Sequence, residues 1–170
     1  MYPKLLQPNN TESIVFSTNE VVRIPKVHLT FEKWSGIYPD DTYGNKTVLN
    51  FNDEPVFAEL AILRIFQKDG WNGVWVDTYG RKYRNSYWGN APIAELPEEK
   101  QLLLNKIYKI AEINSGCFDV FCWNEDRVIF AEAKRQKKDK IRANQIKWLE
   151  AAFENGLKED SFLIVEWDLA

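Results

Sequence analysis

Stretches of alternating apolar and polar residues divide the 170-residue chain into short strands and three helices. Strands are predicted at residues 13 to 18 and 20 to 32, followed by the loop "SGIYPDDTYGN", rich in Gly, Pro and Asp. Asp53 is placed to cap a helix with Pro55 in its first turn, running through "VFAELAILRIFQK" to Gly70, and "GVWVDTY" reads as the next strand. A polar, aromatic stretch, "GRKYRNSYWGNAPIAELP", leads to a helix over residues 98 to 113. Two strands follow in "GCFDVFCWNEDRVIFAEAKRQ", divided by the turn "NED". A helix is then predicted over residues 139 to 155, stopped by Asn155 and Gly156, and "SFLIVEW" makes the last strand. With no linker or repeat along the way, the chain reads as one α/β domain over residues 1–170. A central mixed sheet is flanked by helices, residues 1–50 form a β-rich extension, and the core of residues 51–170 carries an insertion at about 79–115.

Three charged residues break this pattern. Period two puts Val128, Phe130, Glu132 and Lys134 on one face of their strand, with Ile129, Ala131 and Ala133 on the other, so Glu132 and Lys134 are neighbours among apolar residues. Asp119 lies in the preceding strand, which the short turn pairs antiparallel, though the sequence leaves open which residues face each other. An unpaired polar group in such a place costs roughly 2 to 7 kcal/mol. Either these charges satisfy one another as an ion pair near a strand end, or they satisfy something that binds. Two carboxylates converging near a lysine suit Mg²⁺, which takes oxygen ligands, few of them from protein, and keeps several waters.

Two helices add to the constellation. On the helix from residue 139, Ile141, Trp148, Leu149, Ala152 and Phe153 form one apolar arc with Gln145 in its middle. A glutamine there needs a partner inside the protein, either a main-chain carbonyl or a polar site. Glu59 sits in a similar arc of the earlier helix, beside Val56, Ile62, Leu63 and Phe66. It reads as an edge carboxylate, an ion pair with Arg64 or Lys68, or a metal partner.

Composition narrows the chemistry. A 45% hydrophobic fraction supports a globular core, and no apolar run reaches the roughly 18 residues that span a bilayer. The start, "MYPKLLQPNN", lacks the apolar segment of a signal peptide, so a cytoplasmic protein without membrane partners is expected. The single histidine, His28, excludes zinc sites and nuclease centres built on paired histidines. Cys117 and Cys122 are separated by an odd number of residues, so they point to opposite faces and stay reduced. The net charge of −3 conceals segregation: residues 133–147 hold seven Lys or Arg against one Asp, whereas residues 148–170 are strongly acidic. Such basic segments on an acidic protein fit either a localised polyanion site or a solvated face. The insertion interleaves Arg81, Lys82 and Arg84 with Tyr79, Tyr83, Tyr87 and Trp88. That composition suits phosphate and base contacts, or an aromatic loop packed over the core or at a dimer interface.

Together, "CFDVF", "IFAEAKR", "ANQIKWLEAAFENG" and "FLIVEW" resemble the PD-(D/E)xK nuclease superfamily, in particular its VRR-NUC branch. The resemblance covers residues 116–167 and extends more weakly to "FAELAILRIF", with Phe118 standing where the family name has proline. It implies a restriction-endonuclease-like fold and Mg²⁺-dependent hydrolysis of phosphodiesters in DNA, structured or branched DNA included, with Mn²⁺ as a substitute. In that scheme Asp119, Glu132 and the main-chain carbonyl of Ala133 bind the metal, Lys134 serves the attacking water, Gln145 orients the site and Glu59 is an outer partner. Arg135, Lys137, Lys138, Lys140 and Arg142, with Arg81, Lys82 and Arg84, would grip the DNA. Stand-alone relatives that process branched DNA imply a homodimer. The alternative is a nuclease-fold module that binds nucleic acid or a protein and cuts nothing. The "GIY" triplet of "SGIYPDDTYG" has no second triplet at the right distance and reads as a loop.

Overall fold

The computed structural model describes residues 1–40, 42–77, 82–86 and 93–170. Within them the order is β1 (Asn10–Val15), β2 (Val21–Lys33), β3 (Leu49–Phe51), β4 (Glu54–Val56), α1 (Ala58–Lys68), β5 (Asn72–Asp77), β6 (Lys82–Arg84), α2 (Glu98–Ala111), β7 (Val120–Asn124), β8 (Arg127–Arg135), α3 (Ala143–Glu154) and β9 (Phe162–Leu169). The nine strands form one mixed sheet, ordered β4-β3-β2-β9-β8-β7-β5-β6, with β1 against the first half of β2. β8 and β9 are parallel, as the intervening α3 crossover requires, and β2 is parallel to β9; every other pairing is antiparallel.

Alternation along the central strands builds two cores. Val120, Cys122, Ile129, Ala131, Leu163 and Val165 face α1, which buries Leu60, Ala61, Leu63 and Phe66 against them. The opposite face carries Phe121, Phe130, Phe162 and Ile164 under α2 and α3. Phe121 and Phe130 are cross-strand partners and stack at 4.3 Å between ring centroids. Trp148 of α3 sits edge-on to Phe130 at 5.0 Å and is fully buried. Truncating such an aromatic to Ala typically costs about 3–5 kcal/mol, so these rings fix α3 to the sheet. Cys117 and Cys122 fall in opposite cores, both as free thiols. No described helix is long and apolar enough to cross a membrane.

Two local departures from the expected elements bear on the site. Asp53 does not cap a helix. Asn52 and Asp53 both take positive φ, 51° and 62°, and make the two-residue turn of a β3–β4 hairpin. Pro55 is tolerated there because β4 is an edge strand, and α1 begins at Ala58 with Phe57 at its N-cap. Residues 136–142 are not helical either. The Arg135 amide donates to the Asp139 carboxylate at 2.8 Å, Lys137 adopts φ 61°, and Arg142 is extended, so α3 starts only at Ala143.

Candidate functional site

The β7–β8 ladder ends at the pair Val120 and Ala131, and one more step of the same register sets Asp119 opposite Glu132. Here side chains take over from the ladder. The Asp119 amide donates to Glu132 Oε2 at 3.2 Å, and the Ala133 amide donates to Asp119 Oδ2 at 3.0 Å. The Asp119 carbonyl accepts instead from the Val76 amide of β5 at 2.7 Å. The two strands therefore part at the point where both carboxylates emerge.

Gln145, in the first turn of α3, joins this pair. Its Nε2 donates to Glu132 Oε1 at 2.5 Å, and its Oε1 accepts from the Arg142 amide at 3.0 Å. One side chain thus satisfies a helix N-terminal amide and orients a carboxylate. The partner is a site residue rather than a main-chain carbonyl. Ser115 Oγ accepts from Asn144 Nδ2 at 3.1 Å and ties the strand entry to the same turn of α3.

Glu59, at the start of α1, is paired with Lys46 rather than with Arg64 or Lys68. Arg64 reaches Gln67, Glu54 and the Asn85 carbonyl. Lys46 comes from the segment joining β2 to β3, and its Nζ lies 5.6 Å from the centroid of the Phe57 ring.

Burial lifts the Asp119 carboxyl well above the usual range, helped by the neighbouring charges of Glu132 and Glu59 and opposed by the Ala133 amide and Lys46. Burial likewise pushes Glu132 up to about 7, against the Gln145 hydrogen bond and the Lys134 charge. Burial lowers Lys134, which is only 4% exposed and whose Nζ has no hydrogen-bond partner among the described residues. Burial also acts to lower Lys46, but the charge and hydrogen bond of Glu59, with Asp119 and Glu132 behind them, raise it. The site is thus a buried pair of carboxylates whose ionised form is only partly compensated by the surrounding lysines and hydrogen bonds, the condition a bound cation relieves.

A cleft of about 600 Å³ opens over these groups. Asp119, Glu132, Ala133, Gln145 and Glu59 line it, joined by Lys138, Lys140 and Arg142, which are exposed at its rim. Lys134 is not part of the lining, although its charge acts on both carboxylates. The other basic residues lie elsewhere. Arg135 bonds Thr47 at 3.2 Å and covers the Trp167 ring at 5.2 Å, and Lys137 is exposed outside the cleft. Lys82 is exposed, and Arg84 pairs with Asp77 at 3.6 Å and sits 5.8 Å from the Tyr43 ring. Arg81, Tyr79, Tyr87 and Trp88 lie outside the described residues. His28 is exposed on β2.

Among the described residues no three His, Cys, Asp or Glu side chains gather into a ready metal cage. Two carboxylates and a carbonyl suit the few-ligand coordination of Mg²⁺ better than that of a metal needing a full protein shell. Lys46, Ser115 and Asn144 were not singled out by sequence. The one available signal was Glu59 itself, an acid in an apolar arc that needed a cation from outside its helix. Compared with known proteins, the chain matches no family model, no curated protein and no solved structure.

Proposed function

We propose that this protein is a Mg²⁺-dependent nuclease of restriction-endonuclease-like fold that hydrolyses phosphodiester bonds in DNA. The observation that carries the reading is the pair Asp119 and Glu132, opposed at the parting of β7 and β8 and buried without enough positive charge to hold both ionised. The antiparallel β7–β8 pair continuing into a parallel β9 through α3, with α1 on the opposite face, supports the fold assignment. Asp119, Glu132 and the carbonyl of Ala133 would hold Mg²⁺, or Mn²⁺ in its place. A divalent ion there supplies positive charge for the phosphate and makes the attacking water more acidic.

The chain's own residues divide the remaining work. Gln145 fixes the Glu132 carboxylate through its 2.5 Å hydrogen bond. Lys134, with its pKa lowered by burial, releases its proton more readily than an exposed lysine and serves the water. Lys138, Lys140 and Arg142 bind backbone phosphates along the rim. The second reading, a module that binds nucleic acid or a protein without cutting, draws on Lys134 being absent from the cleft lining.

The test is cleavage of single-stranded, duplex and branched DNA by purified protein with Mg²⁺ or Mn²⁺. Lys134→Ala should slow cleavage by roughly 10² to 10⁴ while leaving metal binding intact, and Glu132→Ala should lose both. Replacing Lys138, Lys140 and Arg142 with Ala should lower the salt dependence of binding by about 0.9 for each phosphate that is no longer neutralised. Equal cutting by wild type and Lys134→Ala would assign the activity to another site, and no cutting of any substrate would favour the binding module.

A further inference from the structure

The segment between β2 and β3, which reads as a plain loop in sequence, reaches into the cleft. Tyr43 wedges against Phe57 and Trp75, with ring centroids 5.7 Å and 4.8 Å away, and so anchors the segment at the start of α1. Lys46, three residues on, projects its ammonium to Glu59. Its side chain remains 35% exposed, whereas that of Glu59 is 14% exposed, so the lysine end of the pair is the one free to swing. Lys138, Lys140 and Arg142 stand on the outer rim, but Lys46 acts on all three carboxylates, Glu59, Asp119 and Glu132.

Charge accounting gives this position meaning. Among the groups that line the inner wall, with Lys134 behind it, three carboxylates against the Lys46 ammonium leave a formal −2 when all are ionised, a charge that a divalent ion offsets. An ion seated on Asp119 and Glu132 cancels the part of the attraction on Lys46 that those two carboxylates supply behind Glu59, and its own positive charge repels the ammonium across the same cleft. A nucleic-acid backbone entering the same cleft offers the displaced ammonium a new anion.

We propose that Lys46 is a substrate-binding residue that exchanges partners: it pairs with Glu59 in the free protein and with a backbone phosphate when divalent ion and nucleic acid are bound. The inference rests on the nuclease reading for the identity of the ion site, but not on catalysis. It gives residues 1–50 a part in the site, and it makes Lys46 a competitor of the metal before substrate arrives.

The experiment compares wild type, Lys46→Met and Lys46→Arg. Met keeps the length and apolar stem of a half-exposed lysine, and urea unfolding verifies that each variant is folded. Calorimetric titration with Mn²⁺ in the absence of DNA should give about two- to fivefold tighter binding to Lys46→Met, the size expected for removing a competing, partly exposed ion-pair partner. Binding of a duplex with Ca²⁺ in place of Mg²⁺, to suppress cutting, should be weaker for Lys46→Met, with a salt slope smaller by about 0.9. Lys46→Arg should behave like wild type in both measurements. The exchange requires both changes: unchanged or weaker Mn²⁺ binding, or an unchanged salt slope, overturns it. If both changes appear and wild type cuts nothing, the partner exchange stands and the nuclease reading falls. If wild type cuts and neither change appears, the nuclease reading stands and the exchange falls.

Discussion

Glu132→Gln should reverse its effect on stability with pH. In the metal-free protein burial raises Glu132 from 4.5 to about 7, so between those values the folded state holds a proton that the unfolded chain has released. Raising the pH through that window therefore costs the wild type stability, and 1.36 kcal/mol per pKa unit makes the loss about 3 kcal/mol by pH 8. Glutamine does not titrate and escapes it. It also gives something up: Glu132 accepts from both the Asp119 amide and Gln145 Nε2, and an amide side chain has only one oxygen with which to accept. Losing one such bond costs about 1 kcal/mol. Glu132→Gln should accordingly be more stable than wild type by about 2 kcal/mol at pH 8 and no more stable than wild type at pH 4.5. Urea unfolding in EDTA, followed by tryptophan fluorescence at the two pH values, reads the difference directly. Adding Mn²⁺ at pH 8 should restore the wild type, by about 2.7 kcal/mol at a hundredfold excess over Kd, and leave Glu132→Gln unmoved. A wild type equally stable at both pH values in EDTA, with the variant destabilised equally at both, would refute the uncompensated carboxylate pair.

Two further substitutions probe how α3 is set. Gln145→Leu removes the donor to Glu132 and the acceptor of the Arg142 amide, so thermal unfolding at pH 8 should show a loss of about 1–2 kcal/mol, with weaker Mn²⁺ binding alongside; an unchanged affinity would mean that Gln145 does not orient the site. Gly116 has φ +96°, and a Cβ added there would lie 2.3 Å from the Asn144 carbonyl oxygen, so Gly116→Ala should push the N-terminus of α3 from the cleft. It should cost more stability than Gly70→Ala, where φ is +82° but the space is open and only backbone strain of roughly 1–2 kcal/mol remains. Equal losses in the two glycine variants would show that the close approach to α3 does not matter.

Some of this was legible along the chain because it is encoded by period alone. Alternation in "RVIFAEAKR" puts Glu132 beside Lys134 on the face of Phe130, the apolar arc of the last helix marks Gln145 as needing a partner, and the run around Glu59 marks that acid in the same way. Each is a local property, carried by residues within two or three turns or one strand. What joined them is not local. Facing Asp119 with Glu132 depends on a two-residue turn at Glu125 and Asp126, where a slip of one residue would have sent one carboxylate to the α1 core. The hairpin at Asn52 and Asp53 moved the start of α1 from Asp53 to Ala58, because positive φ at both positions is a backbone choice supported by pairing β3 to β4, against capping chemistry that was equally available. The basic residues from the end of β8 onward look alike in sequence, yet the fold separates Arg135, drawn to Trp167 and Thr47, from Lys138, Lys140 and Arg142 at the rim. Lys46 had no pattern to betray it. A charge in an irregular segment acquires its partner only when the chain folds back on itself, and here the partner is an acid presented by the start of α1.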